Sequence, residues 1–195
     1  MMKKLLIIIF IFSSFLTTNI IATEPDIFVQ STVNRASKLL SENITKDEKI
    51  DELKSIAKDT VDIKGIGFYT LGSIRKSLSK SELIEYSKLF EEYFLKSFSS
   101  RLAEYTNPEI DVYGKEILNN NYTIVKSTLK ATKERPEIQI DWRIYTKDPE
   151  NPLIRDLIIE GLSLARTQKE EFASVLSSNN GNINALFKVL KEFSN

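Results

Sequence analysis

The side chains best suited to chemistry in this 195-residue chain are carboxylates, because the sequence contains no His and no Cys. Their absence excludes Ser-His-Asp and Cys-His catalysis and the usual zinc sites. Adjacent acids occur at Glu91-Glu92 and at Glu170-Glu171, and paired carboxylates can serve as general acid and base. Both pairs fall in predicted helices, where neighbouring residues do not face each other. We therefore predict neither catalytic residues nor metal ligands.

A row of aromatic residues at helical spacing indicates a different chemistry, the burial of apolar surface. The row begins after the capping box Ser79–Glu82 and consists of Tyr86, Phe90, Tyr93, Phe94 and Phe98. Such a stripe normally packs a protein core. It can also line a cavity, and for that role we predict the two mid-helix residues, Phe90 and Phe94.

The elements that must position this stripe follow the order helices, strands, helices. Apolar spacing and capping signals predict helices over residues 26–41, 46–57, 80–105, 163–178 and 182–193. Period-two patterns predict strands over residues 110–118, 122–132, 137–146 and 153–159. The turns at 119–121 and 147–151 are short, so the strands must be antiparallel. The fold class is therefore α+β, with a curved antiparallel sheet of about four strands, helices packed on one face and an enclosed apolar cavity.

In the strand at 137–146, alternate residues predict which side chains face inward. Ile138, Ile140, Trp142 and Ile144 share one face. Trp142 and Ile144 are inward-facing on two interpretations, either as core or as cavity wall. Arg143, Arg155 and Asp156 are expected to be solvated or paired, with a role in docking to a partner as the alternative.

The N-terminal residues and the charge balance predict export and exclude some partners. A basic start at residues 1–4 and an apolar run at 5–12 are typical of a secretory signal peptide, predicted here as residues 1–22. An uncleaved anchor helix is the alternative. The chain has 27 basic and 27 acidic residues, so nucleic-acid binding is not expected, nor is strong attraction to anionic membranes. Residues 23–195 are predicted to form a single domain.

Several blocks of residues, taken in order, resemble the MlaC (toluene-tolerance) family. Segment 61–72 ends in Leu71-Gly72 and precedes the Phe-rich helix face at 89–94. In segment 141–172, two strands lead through Glu160-Gly161-Leu162-Ser163 into a helix. Residues 181–190 resemble the family's Gly-x-x-x-Leu ending. Gly65 and Gly67, where bulkier side chains are common, and the acidic turn at 147–151 depart from the family pattern.

What this resemblance implies is a periplasmic phospholipid shuttle with no cofactor, in which the phospholipid is cargo. Such proteins exchange lipid with an outer-membrane lipoprotein–porin complex and with an inner-membrane ABC transporter complex that carries MCE domains. A monomer is expected. Combining this with the patterns above, we predict that the lipid-binding residues are Ile66, Phe68, Leu71, Phe90, Phe94, Trp142, Ile144, Leu157, Ile159, Leu162, Ser163 and Leu164.

Two groups of these residues have a second interpretation. Ile66, Phe68 and Leu71 flank glycines, and they could form a flexible cavity mouth or an ordinary corner between helices. Ser163 could cap the following helix after a turn at Gly161. Alternatively, the free amides of that helix start could face a lipid phosphate.

Three other functions remain open on the sequence alone. The first is a periplasmic adaptor or chaperone that binds apolar protein segments. The second is a carboxylate-dependent hydrolase, and the third is an anchored structural protein.

Overall fold

The structure, a computed structural model, describes residues 23–194, and the predicted signal peptide at residues 1–22 lies outside them. Within this part of the chain there are six α-helices: α1 Pro25–Ser41, α2 Lys46–Thr60, α3 Ile63–Thr70, α4 Lys80–Leu102, α5 Leu164–Ser177 and α6 Ile183–Ser194. The strands are β1 Ile110–Asn119, β2 Tyr122–Leu129, β3 Ile138–Tyr145, β4 Leu153–Ile159 and β5 Leu162–Ser163. The predicted order of helices, strands and helices is confirmed.

The five strands form one curved sheet in the order β1-β2-β3-β4-β5, and every neighbouring pair is antiparallel. The predicted α+β class is therefore confirmed, with a two-residue strand added at the sheet edge. The predicted turn between β1 and β2 contains Asn121, whose backbone N–H donates to the Asn119 side-chain oxygen over 2.9 Å. This side chain replaces a backbone partner, as Asn commonly does in turns.

A β-bulge at Arg155 changes which residues of β4 face inward. Ile154 pairs with Ile144, but Asp156 pairs with Arg143, so Arg155 is an extra residue in the ladder. The shift lets both Ile154 and Leu157 face the helices, although strict alternation would send residues three apart to opposite faces.

Both predicted capping boxes are present, while one helix end differs from the prediction. The Thr45 and Ser79 hydroxyls accept the backbone N–H groups of Glu48 and Glu82. Helix α4 ends at Leu102, whereas the sequence pattern had extended it to about residue 105. The chain leaves the helix early because it must turn into β1, and Asn107 adopts a left-handed backbone conformation with φ 47° on the way.

Helix α3 was not predicted from the sequence. It contains Gly65 and Gly67, and each glycine lowers intrinsic helix stability by about 1 kcal/mol. Asp62 compensates, because its carboxylate accepts the Gly65 N–H over 2.7 Å. The same carboxylate accepts from Arg155 Nε over 2.6 Å. This contact fixes α3 to β4.

The long helix α4 supplies much of the core. Tyr86 is fully buried, and its hydroxyl lies 2.7 Å from the Thr70 hydroxyl, which joins α4 to α3. Burial raises the pKa of Tyr86 well above its ordinary value. In the range 23–194, no helix has the length and apolarity needed to cross a membrane.

Candidate functional site

A cavity of about 250 Å³ lies between α4, α5 and the inner face of the sheet. We call it cavity 1. From α4 it is lined by Phe90, Tyr93, Phe94, Ser97, Phe98 and Arg101. These positions recur every three or four residues, so a single face of the helix forms this wall. Most of the lining is apolar, and such a site suits an apolar ligand.

A second cavity of about 140 Å³, cavity 2, lies on the other side of a shared wall. The shared residues are Val61, Phe98, Trp142, Ile154 and Leu157. The remainder of its lining comes largely from α1 and α2, including Val33, Leu40 and Leu53. The sequence analysis missed this cavity, because it treated the apolar stripes of the first two helices as ordinary core.

The aromatic residues of cavity 1 are held by one another. Phe90 is 2 % exposed, and its ring stacks on Phe94 with centroids 6.1 Å apart and meets Phe172 edge-on at 6.2 Å. The Phe94 ring in turn stacks on Phe98 at 5.5 Å. These contacts give the inner end of the cavity a defined shape, while Phe94 and Phe98 are only half-buried and can adjust.

Seven of the twelve predicted site residues line a cavity. Ile66, Phe90, Phe94 and Leu164 line cavity 1, Ile159 lines cavity 2, and Trp142 and Leu157 line both. The Trp142 indole is oriented by its N–H, which donates to the Ser127 hydroxyl over 2.8 Å. Its ring is thereby available to form part of the wall between the two cavities.

The other five predicted residues line neither cavity 1 nor cavity 2. Leu71 and Ile144 are buried in the core, and Phe68 lies beneath the Arg75 guanidinium, 4.8 Å from the ring centroid. Leu162 is 60 % exposed in β5. Ser163 caps α5, since its hydroxyl accepts the Arg166 N–H over 3.1 Å.

Asp156 occupies a polar position in the wall of cavity 1 and is 4 % exposed. Its carboxylate accepts the Ser163 hydroxyl over 2.6 Å and the Ala165 N–H over 3.0 Å, and an Arg143 nitrogen lies 3.7 Å away. Ser163 and Asp156 thus occupy two amides at the start of α5. Those amides are therefore not available to a phosphate in this structure.

The remaining polar groups of cavity 1 form a rim near Tyr93. The Tyr93 hydroxyl donates to Gln168 Oε1 over 2.8 Å, and Gln168 Nε2 donates to Glu171 Oε2 over 2.9 Å. Burial, and secondarily the Glu171 carboxylate, raises the pKa of Tyr93. Glu171 and Arg101 both line the cavity. The sequence analysis had considered Glu171 only as part of an acidic pair and had not considered Arg101.

Glu170 and Glu171 point apart, as adjacent helical residues should. Glu170 pairs with Arg166 over 3.1 Å on the outer surface, while Glu171 reaches the cavity. Glu91 lies 3.9 Å from Lys58. Throughout residues 23–194, no group of three or more acidic side chains is arranged to hold a metal ion.

Comparison with known proteins supports the resemblance seen in the sequence. Residues 30–192 match the family model described as MlaC protein. A relative from Haemophilus influenzae, named intermembrane phospholipid transport system binding protein MlaC, is 25% identical over 188 residues, which covers 90% of this chain and 86% of the relative.

A solved structure shows the same fold. It is the phospholipid-binding protein from Ralstonia solanacearum in complex with a phospholipid, with a TM-score of 0.74 and 17% identity. The match covers 88% of this chain and 97% of that protein. The family match spans most of the sequence, and the fold agrees with it. This chain therefore belongs to the MlaC family.

Proposed function

We propose that this protein binds one phospholipid, with the acyl chains in cavities 1 and 2 and the headgroup at the polar rim. The observation that carries the proposal is a pair of adjoining apolar cavities between α4 and the sheet. The named relatives, one a phospholipid transport protein and the other a phospholipid-binding protein, support it.

The energy of chain burial explains why a carrier must enclose its cargo. Two acyl chains contain roughly 30 methylenes, and exposing them to water would cost about 24 kcal/mol at about 0.8 kcal/mol each. A shallow surface groove would leave much of that surface wet. Cavities walled by aromatic and aliphatic side chains can remove it from water.

An acyl chain that enters both cavities, which measure about 250 and 140 Å³, must pass the wall that separates them. The half-buried Phe98 and Leu157 stand between them, so movement of these side chains would join the cavities into one space.

For the route of transport, we propose that the protein carries phospholipid through the periplasm between two membrane complexes. These are an outer-membrane lipoprotein–porin complex and an inner-membrane ABC transporter complex with MCE domains. The intermembrane role in the relative's name and the signal-peptide-like residues 1–22 support this route. The near-neutral charge suits a carrier that must leave each membrane.

We propose binding and not catalysis as the activity. The relatives are named for binding and transport. Glu91 and Glu170, which the sequence had raised as acid–base candidates, have Lys58 and Arg166 as ion-pair partners. A hydrolase would need these carboxylates free and facing a substrate.

Native mass spectrometry of protein purified without detergent, followed by organic extraction, tests the proposal. The expected result is an added mass equal to one diacyl phospholipid, with that lipid in the extract. A bare polypeptide that also takes up no lipid from vesicles would overturn it. Stable binding of apolar peptides by such a lipid-free protein would favour the adaptor or chaperone function.

A further inference from the structure

The rim of cavity 1 presents one positive and one negative group toward the site proposed for the headgroup. Three charged residues line the cavity: Arg101, Asp156 and Glu171. Asp156 is buried, with its oxygens occupied by Ser163 and Ala165. Arg101 and Glu171 are both exposed. The accessible charge at the rim is therefore that of a single cation and a single anion.

Both groups are available to a ligand. Of the ion pairs formed among residues 23–194, none includes Arg101 or Glu171. The Glu171 carboxylate accepts one hydrogen bond, from the Gln168 amide. Because the Tyr93 hydroxyl donates to the oxygen of that amide, the NH₂ group is held toward Glu171.

Both groups lie close to Tyr93, which joins α4 to α5. The Tyr93 hydroxyl donates to Gln168, and the Tyr93 ring lies 5.9 Å from that of Phe172, which directly follows Glu171. Long side chains on a helix lean toward its N-terminus. Arg101, about two turns beyond Tyr93 on α4, therefore leans back toward Tyr93.

The electrostatics around Tyr93 agree with this arrangement. After burial, the Glu171 carboxylate is the next cause of the raised pKa of Tyr93, and the Arg101 guanidinium opposes the shift. Both charges therefore act on the same hydroxyl at the rim.

Resting on the proposed function, we propose that this rim selects a zwitterionic phosphoethanolamine headgroup. Arg101 would donate to the phosphate oxygens, a role that guanidinium geometry suits well. The Glu171 carboxylate would accept N–H bonds from the ammonium group. A phosphoglycerol headgroup supplies no cation for Glu171, and a choline headgroup has no N–H to donate to it.

The test is uptake from vesicles that contain equal amounts of phosphatidylethanolamine, phosphatidylglycerol and phosphatidylcholine, with bound lipid identified by native mass spectrometry. The expected result is about threefold enrichment of phosphatidylethanolamine over each of the other lipids, the scale of an exposed charged contact. Glu171→Gln should remove this preference while total lipid uptake persists. Arg101→Gln should lower the uptake of all three lipids, because each carries the phosphate, and should keep the preference for phosphatidylethanolamine that Glu171 sets.

Two control variants have charges that do not reach the cavity. Glu170→Gln removes the adjacent carboxylate on the outer surface, and Lys88→Gln removes an exposed cation of α4; both should keep the preference. Uptake of the three lipids in equal amounts, or enrichment of either other lipid, would overturn the headgroup assignment and leave the carrier function standing. Uptake of no lipid at all would instead overturn the proposed function.

Discussion

Position 67 has room only for a hydrogen atom beside the Phe90 ring. A Cβ added to Gly67 would lie 2.7 Å from Phe90 Cδ1, well inside normal contact. Phe90 is buried and surrounded by other rings, so it has little freedom to withdraw. Gly67, where bulkier side chains are common in the family, is thus explained by packing. The small residue lets α3 approach α4 at the wall of cavity 1.

We predict that Gly67→Ala destabilises the protein by about 1 kcal/mol, within a range of about 0–2 kcal/mol. Ala normally favours a helix over Gly by about 1 kcal/mol, but overpacking costs typically 1–3 kcal/mol. Urea denaturation would measure the change. Gly114→Ala is the matched control, because a Cβ there meets no atom within 4 Å; it should leave stability unchanged or slightly raised. A more stable Gly67→Ala protein would contradict the packing argument.

We also predict that Phe94→Asp abolishes lipid retention. Phe94 lines cavity 1, and a carboxylate there would be desolvated by the acyl chains at a cost of several kcal/mol. Affinity should fall by at least about 100-fold, since each 1.4 kcal/mol is a factor of ten. Native mass spectrometry measures retention, and circular dichroism checks the fold. Ile84→Asp, at an exposed site on the same helix, should keep its lipid. A folded Phe94→Asp protein that retains lipid would remove Phe94 from the binding wall.

At the scale of the elements, a buried hydrogen bond between the Thr70 and Tyr86 hydroxyls connects α3 to α4. Burial holds the pKa of Tyr86 above its unfolded value. The neutral hydroxyl is therefore favoured by folding. Its contribution to stability is present below about pH 10, the unfolded value, and decreases as the pH rises from there toward the folded value.

We predict that the free energy of unfolding falls by about 1.4 kcal/mol per pH unit from this residue above about pH 10. Tyr86→Phe should flatten part of that decline. At neutral pH the variant should lose about 1 kcal/mol, because Thr70 loses a partner. Urea titrations at pH 8 and pH 11 would measure both effects. Tyr93→Phe is a comparison variant with a half-buried hydroxyl, whose pKa is also raised. Parallel stability curves for the unmodified and Tyr86→Phe proteins would contradict the assignment.

The elements show where sequence reasoning succeeds and where it stops. The period-two face of β3 was read correctly, because Ile140, Trp142 and Ile144 alternate without interruption and all are buried. In β4, the extra residue Arg155 breaks that alternation. A bulge is set by partners on other strands and helices, here the Asp62 carboxylate on the α2–α3 connection. No local pattern reveals it.

For the molecule as a whole, the sequence predicted which elements form the sheet layer and the helix layer. It did not predict where cavities lie between those layers. The stripe of α4 singled out Phe90 and Phe94, and both line cavity 1. It did not separate them from Tyr86, which packs in the core four residues earlier. Cavity 2 depends on how α1 and α2 sit on the sheet, and that is a tertiary property. A hydrophobic residue looks the same in sequence whether it faces a neighbour or an empty space.

The shared wall between the cavities leads to a prediction about lipid-linked stability. Phe98 borders both cavities, so Phe98→Ala should join and enlarge them. Without lipid, the variant should be less stable by about 2–4 kcal/mol, because a void replaces the ring. With lipid, acyl chains can fill that void and recover part of the loss. We expect lipid to raise the Tm of Phe98→Ala by about 4 °C more than it raises that of the unmodified protein, equivalent to between 1 and 2 kcal/mol.

Leu95→Ala separates this effect from ordinary core damage. Leu95 is buried on the same helix but lines neither cavity. Its truncation should cost about 2–5 kcal/mol with or without lipid, since acyl chains do not reach it. Calorimetry of lipid-free and lipid-loaded protein would measure all three Tm differences. Equal lipid-induced shifts would show that the Phe98 wall is not where the acyl chains lie. A larger shift in Phe98→Ala alone would show that acyl chains occupy the space beside Phe98, at the wall between the two cavities.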